Sequence, residues 1–509
     1  MQKMKLISSM MLVAFVCVSA NPLFAGDAPM VDGDVQKAIT SMAKQMEEMR
    51  KLIQDQNAKI QYLEQKTRDG VKVSAEPSGS KEAPKKLSQE EFKEMLGKEI
   101  KEAKYFKNLK MGGDFRLRWE AFDQGENTST TESRNRFRYR LRYGVENDVG
   151  DDMKVGFRIV TAGLNNTTAS GGTVYAGDPT STNQTIGSPG LFSYSTIALD
   201  KAYAKYTPKK MQGYELGPVK VGKFEIGGGK FDNPHLKYSS PMIWDGDVMP
   251  EGLYERLDIS LYETETAKVN MFNIAMQSPL IESGTGDRDA SMYSFQTGLE
   301  IDGYTPLMEK PIGFTSAFGT YLYRNLAEDS NFTLGSGASA LGTSRGMTGC
   351  VGTVGSAGSA CQGLEGGDPR IISVYNELKL TPVGNTPIKL FSDVASNVNN
   401  GSVSGASARK NTAWGFGLSV GELKAPKDWQ LSYGYYQIPP NAVVSIFNDS
   451  DFGQGHNNNR GSVVKAGYQL SKALQLNFAW FNVTPYDTTL SGLRDQATNR
   501  FQSDLVWKF

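Results

Sequence analysis

Histidine and cysteine are scarce in this chain of 509 residues, with two of the first and three of the second. The two histidines, His235 and His456, have no nucleophile pattern around them, so an enzyme is not expected. Net charge is absent as well: 55 basic residues balance 55 acidic ones, which leaves no global charge to attract a nucleic-acid partner or an acidic substrate. Any charge-based function must be local. Long hydrophobic runs are missing outside the N-terminus, and only 39% of residues are hydrophobic. Aromatics nevertheless reach 10%, and glycine supplies 54 residues, a mixture that suits strands and turns better than helices.

The one long apolar run follows Lys3 and Lys5, extends from Leu6 to Ala20, and is succeeded by small residues near Ala25. It is shorter than the roughly 18 to 20 residues of a spanning helix and has the layout of a secretory signal, with cleavage expected after Ala25 or, alternatively, after Ala20. Residues 1–25 are therefore read as a signal peptide. Cys17 would leave with it and lacks a good lipobox. Cys350 and Cys361 remain, in the stretch GCVGTVGSAGSACQG, and in an oxidising compartment a local disulfide is expected to close that loop. Two thiols without a nearby histidine make a poor metal site, and no cofactor is expected.

Three regions follow the signal. In the first, Val35, Ile39, Met42, Met46, Met49, Ile53, Gln56, Ile60 and Leu63 step by four and three, the seam of a coiled coil expected over residues 26–66. The repeating part would extend about 40 Å. The stretch TRDGVKVSAEPSGSKEAPKKL then reads as a linker, and Ser88 with Glu91 forms a capping box that opens a short helix. Linker and helix together occupy residues 67–110.

From residue 111 onward the period changes to two. In DFRLRWEAF, Phe115, Leu117, Trp119 and Ala121 share one face, while Asp114, Arg116, Arg118 and Glu120 share the other. In RNRFRYRLRYGV, Phe137, Tyr139, Leu141 and Tyr143 oppose Arg134, Arg136, Arg138, Arg140 and Arg142. Sixteen such segments are counted, centred near residues 118, 140, 158, 201, 222, 259, 272, 296, 317, 376, 391, 417, 433, 466, 478 and 504. Short and long connections alternate between them, as turns on one side of a membrane and loops on the other would. A sixteen-stranded antiparallel transmembrane β-barrel over residues 111–509 is expected, all-β apart from the helical N-terminus. A soluble sandwich would alternate too, but one unbroken meander of this length has no obvious division into two sheets. The C-terminal FQSDLVWKF aligns Phe501, Leu505, Trp507 and Phe509 and resembles the signal by which outer-membrane barrels are recognised for assembly.

Charge then fixes which face looks inward. An arginine near the lipid midplane costs about 2 to 4 kcal/mol and cannot deprotonate to escape. The channel-lining residues are therefore expected to be Arg116, Arg118, Arg134, Arg136, Arg138, Arg140 and Arg142, a positive wall on two neighbouring strands.

The stretch GGGKFDNPHLKYSSPMIWDGDVMPEGL after the fifth strand resembles the putative porin family, whose third loop carries a G-[RK]-x-x-N-P segment and then a WD-x-D-x-x-PEG block. The matches are Gly229, Lys230, Asn233 and Pro234, then Trp244, Asp245, Asp247, Pro250, Glu251 and Gly252. The Gly-rich loop around Cys350 and Cys361 departs from the pattern. The resemblance implies a Gram-negative outer-membrane porin whose third loop, 229–253, folds into the barrel. There Asp232, Asp245, Asp247 and Glu251 would meet the arginines across a constriction. It also implies a homotrimer in outer-membrane lipid, with the coiled coil in the periplasm. The expected function is passive diffusion of small hydrophilic solutes with an anion preference. The alternative is a barrel sheath for a porin–cytochrome electron conduit; with no CxxCH in the chain, it could supply only the sheath.

Overall fold

The computed structural model describes residues 108–123, 133–282, 289–326, 368–399, 411–486 and 497–509, apart from positions 163, 170, 171, 178, 189, 193, 307, 309, 383–385 and 456. The expected signal peptide, coiled coil, linker and helix, His456 and the Cys350–Cys361 pair lie outside the described residues.

The strands of the barrel are β1 (Leu109–Asp123), β2 (Arg134–Val149), β3 (Met153–Ala162), β4 (Thr196–Tyr206), β5 (Val219–Lys230), β6 (Glu251–Glu263), β7 (Ala267–Ile281) and β8 (Ala290–Gly303). They continue as β9 (Ile312–Arg324), β10 (Arg370–Leu380), β11 (Ile388–Asn397), β12 (Thr412–Gly421), β13 (Trp429–Ile438), β14 (Asn459–Gln469), β15 (Leu474–Pro485) and β16 (Thr498–Lys508). Each pairs antiparallel with its neighbour in sequence, and β1 pairs with β16 from Asp114↔Lys508 to Asp123↔Asn499. The sheet therefore closes on itself, which removes both edges. All sixteen expected segments are present as strands. The terminal residue tightens the seam, since Gly113 donates its N–H to the Phe509 carbonyl at 2.8 Å and Phe509 returns the bond at 3.1 Å.

Period-two alternation sorts the side chains. Leu117, Trp119, Phe137, Phe157, Leu199, Trp414, Phe416, Tyr433, Phe478 and Trp480 point outward and are exposed, Phe137 to 60%. Several of them meet other rings across strands, Trp119 edge-on to Phe501 at 5.7 Å and Trp414 tilted against Tyr435 at 5.5 Å. An apolar belt of this extent is unstable against water and calls for hydrocarbon. No helix among the described residues is long and apolar enough to cross a membrane, so the strands are the crossing elements.

The interior is not uniformly polar. The third loop, 231–250, and the seventh, 439–458, fold inward, and Phe231, Met242, Trp244, Val443, Val444 and Ile446 pack against Tyr254, Met292, Tyr321, Tyr436 and Phe481 of the wall. Trp244, 2% exposed, lies 5.1 Å from the Phe447 ring and 5.7 Å from Tyr321. Each such large side chain contributes roughly 1.5 to 3 kcal/mol by leaving water, enough to hold loops that share no ladder with the barrel. A void of about 10 Å³ lies between the two loops beside Met242 and Phe452. The side of the lumen along β6 to β15 is thus filled by apolar contact, while the side formed by β16 and β1–β3 is ionic.

Candidate functional site

The ionic side begins with register. Across β1 and β2, Asp114 faces Arg142 and Glu120 faces Arg136, but Arg116 faces Arg140 and Arg118 faces Arg138. Like charges directly opposite each other destabilise a ladder, so the middle two rungs need carboxylates from elsewhere. The next strand supplies one. Asp504 of β16 accepts two bonds from Arg118, at 2.7 and 2.8 Å, and lies 3.5 Å from Arg116.

The infolded loops supply the others. Asp451 of the seventh loop accepts from Arg118 at 3.0 and 3.3 Å and from Arg500 of β16 at 2.7 Å. Burial alone would raise its carboxyl, but the Arg500 and Arg118 guanidiniums hold it well below the ordinary range. Asp247 of the third loop reaches Arg142 at 3.3 Å and Arg140 at 3.9 Å, and both arginines also bind Asp114, at 2.6 and 2.8 Å. Glu120, fully buried, binds Arg136 and Arg500. The Arg138 guanidinium donates to the Asn183 carbonyl at 3.3 Å, and that of Arg116 to the Asn183 side chain. Arg134 sits at the exposed end of β2, opposite Phe122.

The acids singled out in the third loop separate into different roles. Asp247 alone of the four contacts the arginines. Asp232 pairs with Lys201 of β4 at 2.7 Å, and Glu251 with Lys230 across the stem of the loop. Asp245 turns to the seventh loop, accepting the Ser450 N–H at 2.9 Å and the Asp247 N–H at 2.7 Å. Burial, then the nearby negative charges of Asp449 and Asp247, raise its carboxyl above the ordinary range, partly opposed by those two N–H groups. Burial also raises Asp449.

Besides Asp504, four charged partners lie outside the set expected from the sequence: Arg158, Asp200, Arg500 and Asp451. Arg158 of β3 binds Asp200 of β4 at 3.0 Å, Arg500 joins the wall from β16, and Asp451 arrives from the seventh loop. Arg158 and Arg500 occupy the strand positions alternate to Phe157 and Phe501, which gave a usable signal. Asp451 carries no such signal, since a loop has no period.

The family block acquires physical reasons. Gly229 and Gly252 face each other across the stem with φ of +106° and +136°. Asn233 caps a turn by accepting the His235 N–H at 3.0 Å. His235 anchors the loop to β8, with Nε2 2.8 Å from Ser294 Oγ and Nδ1 3.3 Å from Gln296 Oε1. This fully buried serine–histidine contact has an amide as its third member and no exposed face, so it fixes a loop rather than presenting a nucleophile.

Burial pushes the His235 ring down to about 4, partly opposed by Gln296. Released into water it would titrate near 6.5, so its anchoring is complete above pH 6.5 and is lost as pH falls towards 4, by about 3 kcal/mol in all. Proteolysis within residues 231–250 should therefore speed up over that interval, and the His235→Gln variant should respond less. Equal acid responses of the two proteins would contradict the assignment.

Solved structures match 79% of the chain at low identity: OprB of Pseudomonas putida at 11% over 94% of its own length, TM-score 0.42. OmpF of Salmonella typhi, solved with daunomycin, matches at 10% over 98% and 0.40, and a loop-deleted OmpT of Vibrio cholerae at 10% over 99% and 0.39. No curated protein matches the sequence. A family model described as putative porin matches residues 89–344 and 385–509, which take in both the third-loop block and the closing strands, and the chain therefore belongs to the putative porin family.

Proposed function

We propose that this protein is an outer-membrane diffusion channel for small hydrophilic solutes that favours anions. The observation that carries the reading is the division of the lumen into an apolar packed side and an ionic side, because a water path is stable only along the second. On that side Arg116, Arg118, Arg136, Arg138, Arg140, Arg142, Arg158 and Arg500 meet the carboxylates of Asp114, Glu120, Asp200, Asp247, Asp451 and Asp504. Cations are in excess, and the low-dielectric protein around them focuses the field on the aqueous path. The Asp247–Arg142 contact is the constriction in this reading, and Arg134 would act at the mouth.

Stepwise conductance of the purified protein in planar bilayers tests the channel. Absence of steps, or haem co-purifying in fixed ratio, would favour the cytochrome sheath instead. That alternative needs an unobstructed bore, and the third and seventh loops argue against one. Replacing Arg138 and Arg140 together by glutamine should lower the anion-to-cation permeability ratio several-fold, read as a shifted reversal potential in a salt gradient; no shift would remove these arginines from the selective path.

The reading extends to the segments named from sequence alone. Export through the signal peptide, a Cys350–Cys361 disulfide in an external loop, and a periplasmic coiled coil joining three barrels are all consistent with an outer-membrane trimer. Crosslinking of the full chain and of a chain lacking residues 26–66 tests the coil; equal trimer yields would deny it a part in assembly.

A further inference from the structure

Below the Asp247–Arg142 contact the ionic side opens into a cavity of about 550 Å³. Its cationic lining is Arg116, Arg140, Arg142, Arg158 and Lys508, and its acids are Asp114 and Asp504. Directly beneath the Asp114↔Arg142 rung, the inward positions of β1 and β2 are both glycine, Gly112 facing Gly144. The wall is therefore bare there, and the guanidiniums above it overhang open space. A Cβ on Gly144 would meet nothing closer than 3.5 Å, whereas one on Gly112 would stand 3.0 Å from the Phe509 carbonyl oxygen, so the room lies on the β2 side.

The arginines around the cavity are unequally satisfied. Arg140 and Arg142 share Asp114, and Arg158 is held by Asp200 at 3.0 Å. Arg116 is different: one terminal nitrogen donates to the Asn183 side chain and another lies 3.5 Å from Asp504, whose two oxygens are already taken by Arg118, while its buried Nε has no hydrogen-bond partner among the described residues. An unsatisfied buried donor on a cation costs more than an ordinary lost hydrogen bond. At the periplasmic end the Lys508 ammonium donates to the neutral Gln475 side chain at 3.0 Å and forms no ion pair among the described residues.

We propose that this cavity is a saturable binding site for a small dianion bearing oxyanion groups, a phosphate or a dicarboxylate, held between Arg116 and Lys508 with Arg140 and Arg142 overhead. Guanidinium groups match such groups with paired N–H donors, and the lysine supplies a point charge that tolerates either geometry. Two charges on the ligand answer the cationic excess of the lining better than one, so chloride should pass where a dianion lingers. The site would make the channel a selective uptake route at low solute concentration rather than a plain sieve. It rests on the channel reading only for that consequence, since binding itself needs no conduction.

The test uses the full-length protein in detergent and in bilayers. Inorganic phosphate and succinate are each titrated calorimetrically, with chloride as the comparison, and each is then added to a bilayer carrying a chloride current. Saturable binding of at least one dianion, with matching partial block of the chloride current, is the expected result. In Arg116→Gln and Lys508→Gln the apparent affinity should fall at least tenfold. Phosphate alone or succinate alone binding decides which oxyanion the site takes. Linear, non-saturating behaviour of both dianions, or unchanged affinity in both variants, overturns the site. A protein that binds dianions yet carries no current would keep the site and overturn the channel.

Discussion

The Asp451→Asn variant should release the seventh loop from the barrel wall, raise single-channel conductance, and strengthen the preference for anions. The carboxylate of Asp451 joins Arg118 and Arg500, which are both nearly inaccessible to water, and no other group bridges them in the described residues. Removing one partner from a buried ion network costs roughly 3 to 5 kcal/mol, because the charges left behind are uncompensated. The value here should fall near the lower end, since Arg118 keeps Asp504 and Arg500 keeps Glu120. The penalty is local to the loop. The barrel ladder is untouched, so the protein should still assemble, with faster proteolysis within 439–458. Unchanged conductance together with unchanged proteolysis would mean that the loop is held by its apolar contacts and by hydrogen bonds the variant keeps, among them Arg500 to the Ser450 and Asp451 carbonyls at 3.1 Å.

A second large effect is expected where the third loop leaves the wall. A Cβ at Gly252 would stand 2.0 Å from the Gln277 carbonyl oxygen, and one at Gly229 would stand 2.2 Å from that of Ala202. Both obstacles are backbone and cannot rotate away. With φ values far into the left-handed half of the map, each position adds strain of about 1 to 3 kcal/mol to the clash for any other residue. Gly252→Ala should therefore reduce the yield of assembled barrel sharply, measured as the fraction that resists unfolding by detergent at room temperature. Gly246→Ala serves as the comparison, because in the same loop its Cβ would meet nothing within 4 Å. If both variants assembled equally well, the paired glycines would have no part in setting the stem.

These expectations draw on different depths of sequence information. The strands were legible because a membrane wall imposes one chemical difference, hydrocarbon against water, at every second residue for ten or more residues. Even the inward positions of Arg158 and Arg500 follow from Phe157 and Phe501. Direction was legible; pairing was not. Nothing in the spacing of Arg118 announces Asp504, which closes the barrel from 386 residues away, nor Asp451 from a loop that ends in the lumen. The apolar run Ala442–Phe447, inside an otherwise polar connection, was the available hint that the seventh loop is not bathed in solvent.

The third loop presents the opposite case. Its infolding was implied by resemblance, whereas its chemistry had to be sorted in space. Asp232, Asp245, Asp247 and Glu251 look equivalent as letters, yet burial and partners give them separate fates. Asp247 confronts the arginines, Asp232 and Glu251 answer lysines, and Asp245 accepts backbone N–H groups from both infolded loops. Loop backbone sets those directions, and no period in the sequence encodes them.

A cationic water path beside an otherwise packed lumen should set the ion selectivity of the protein. The reversal potential of the unmodified protein, recorded in a planar bilayer across a potassium chloride gradient at neutral pH, addresses it most directly. The account requires a potential displaced towards the chloride equilibrium value, larger in dilute salt and shrinking as salt screens the wall. A potential on the potassium side, or one that does not change with ionic strength, would contradict it.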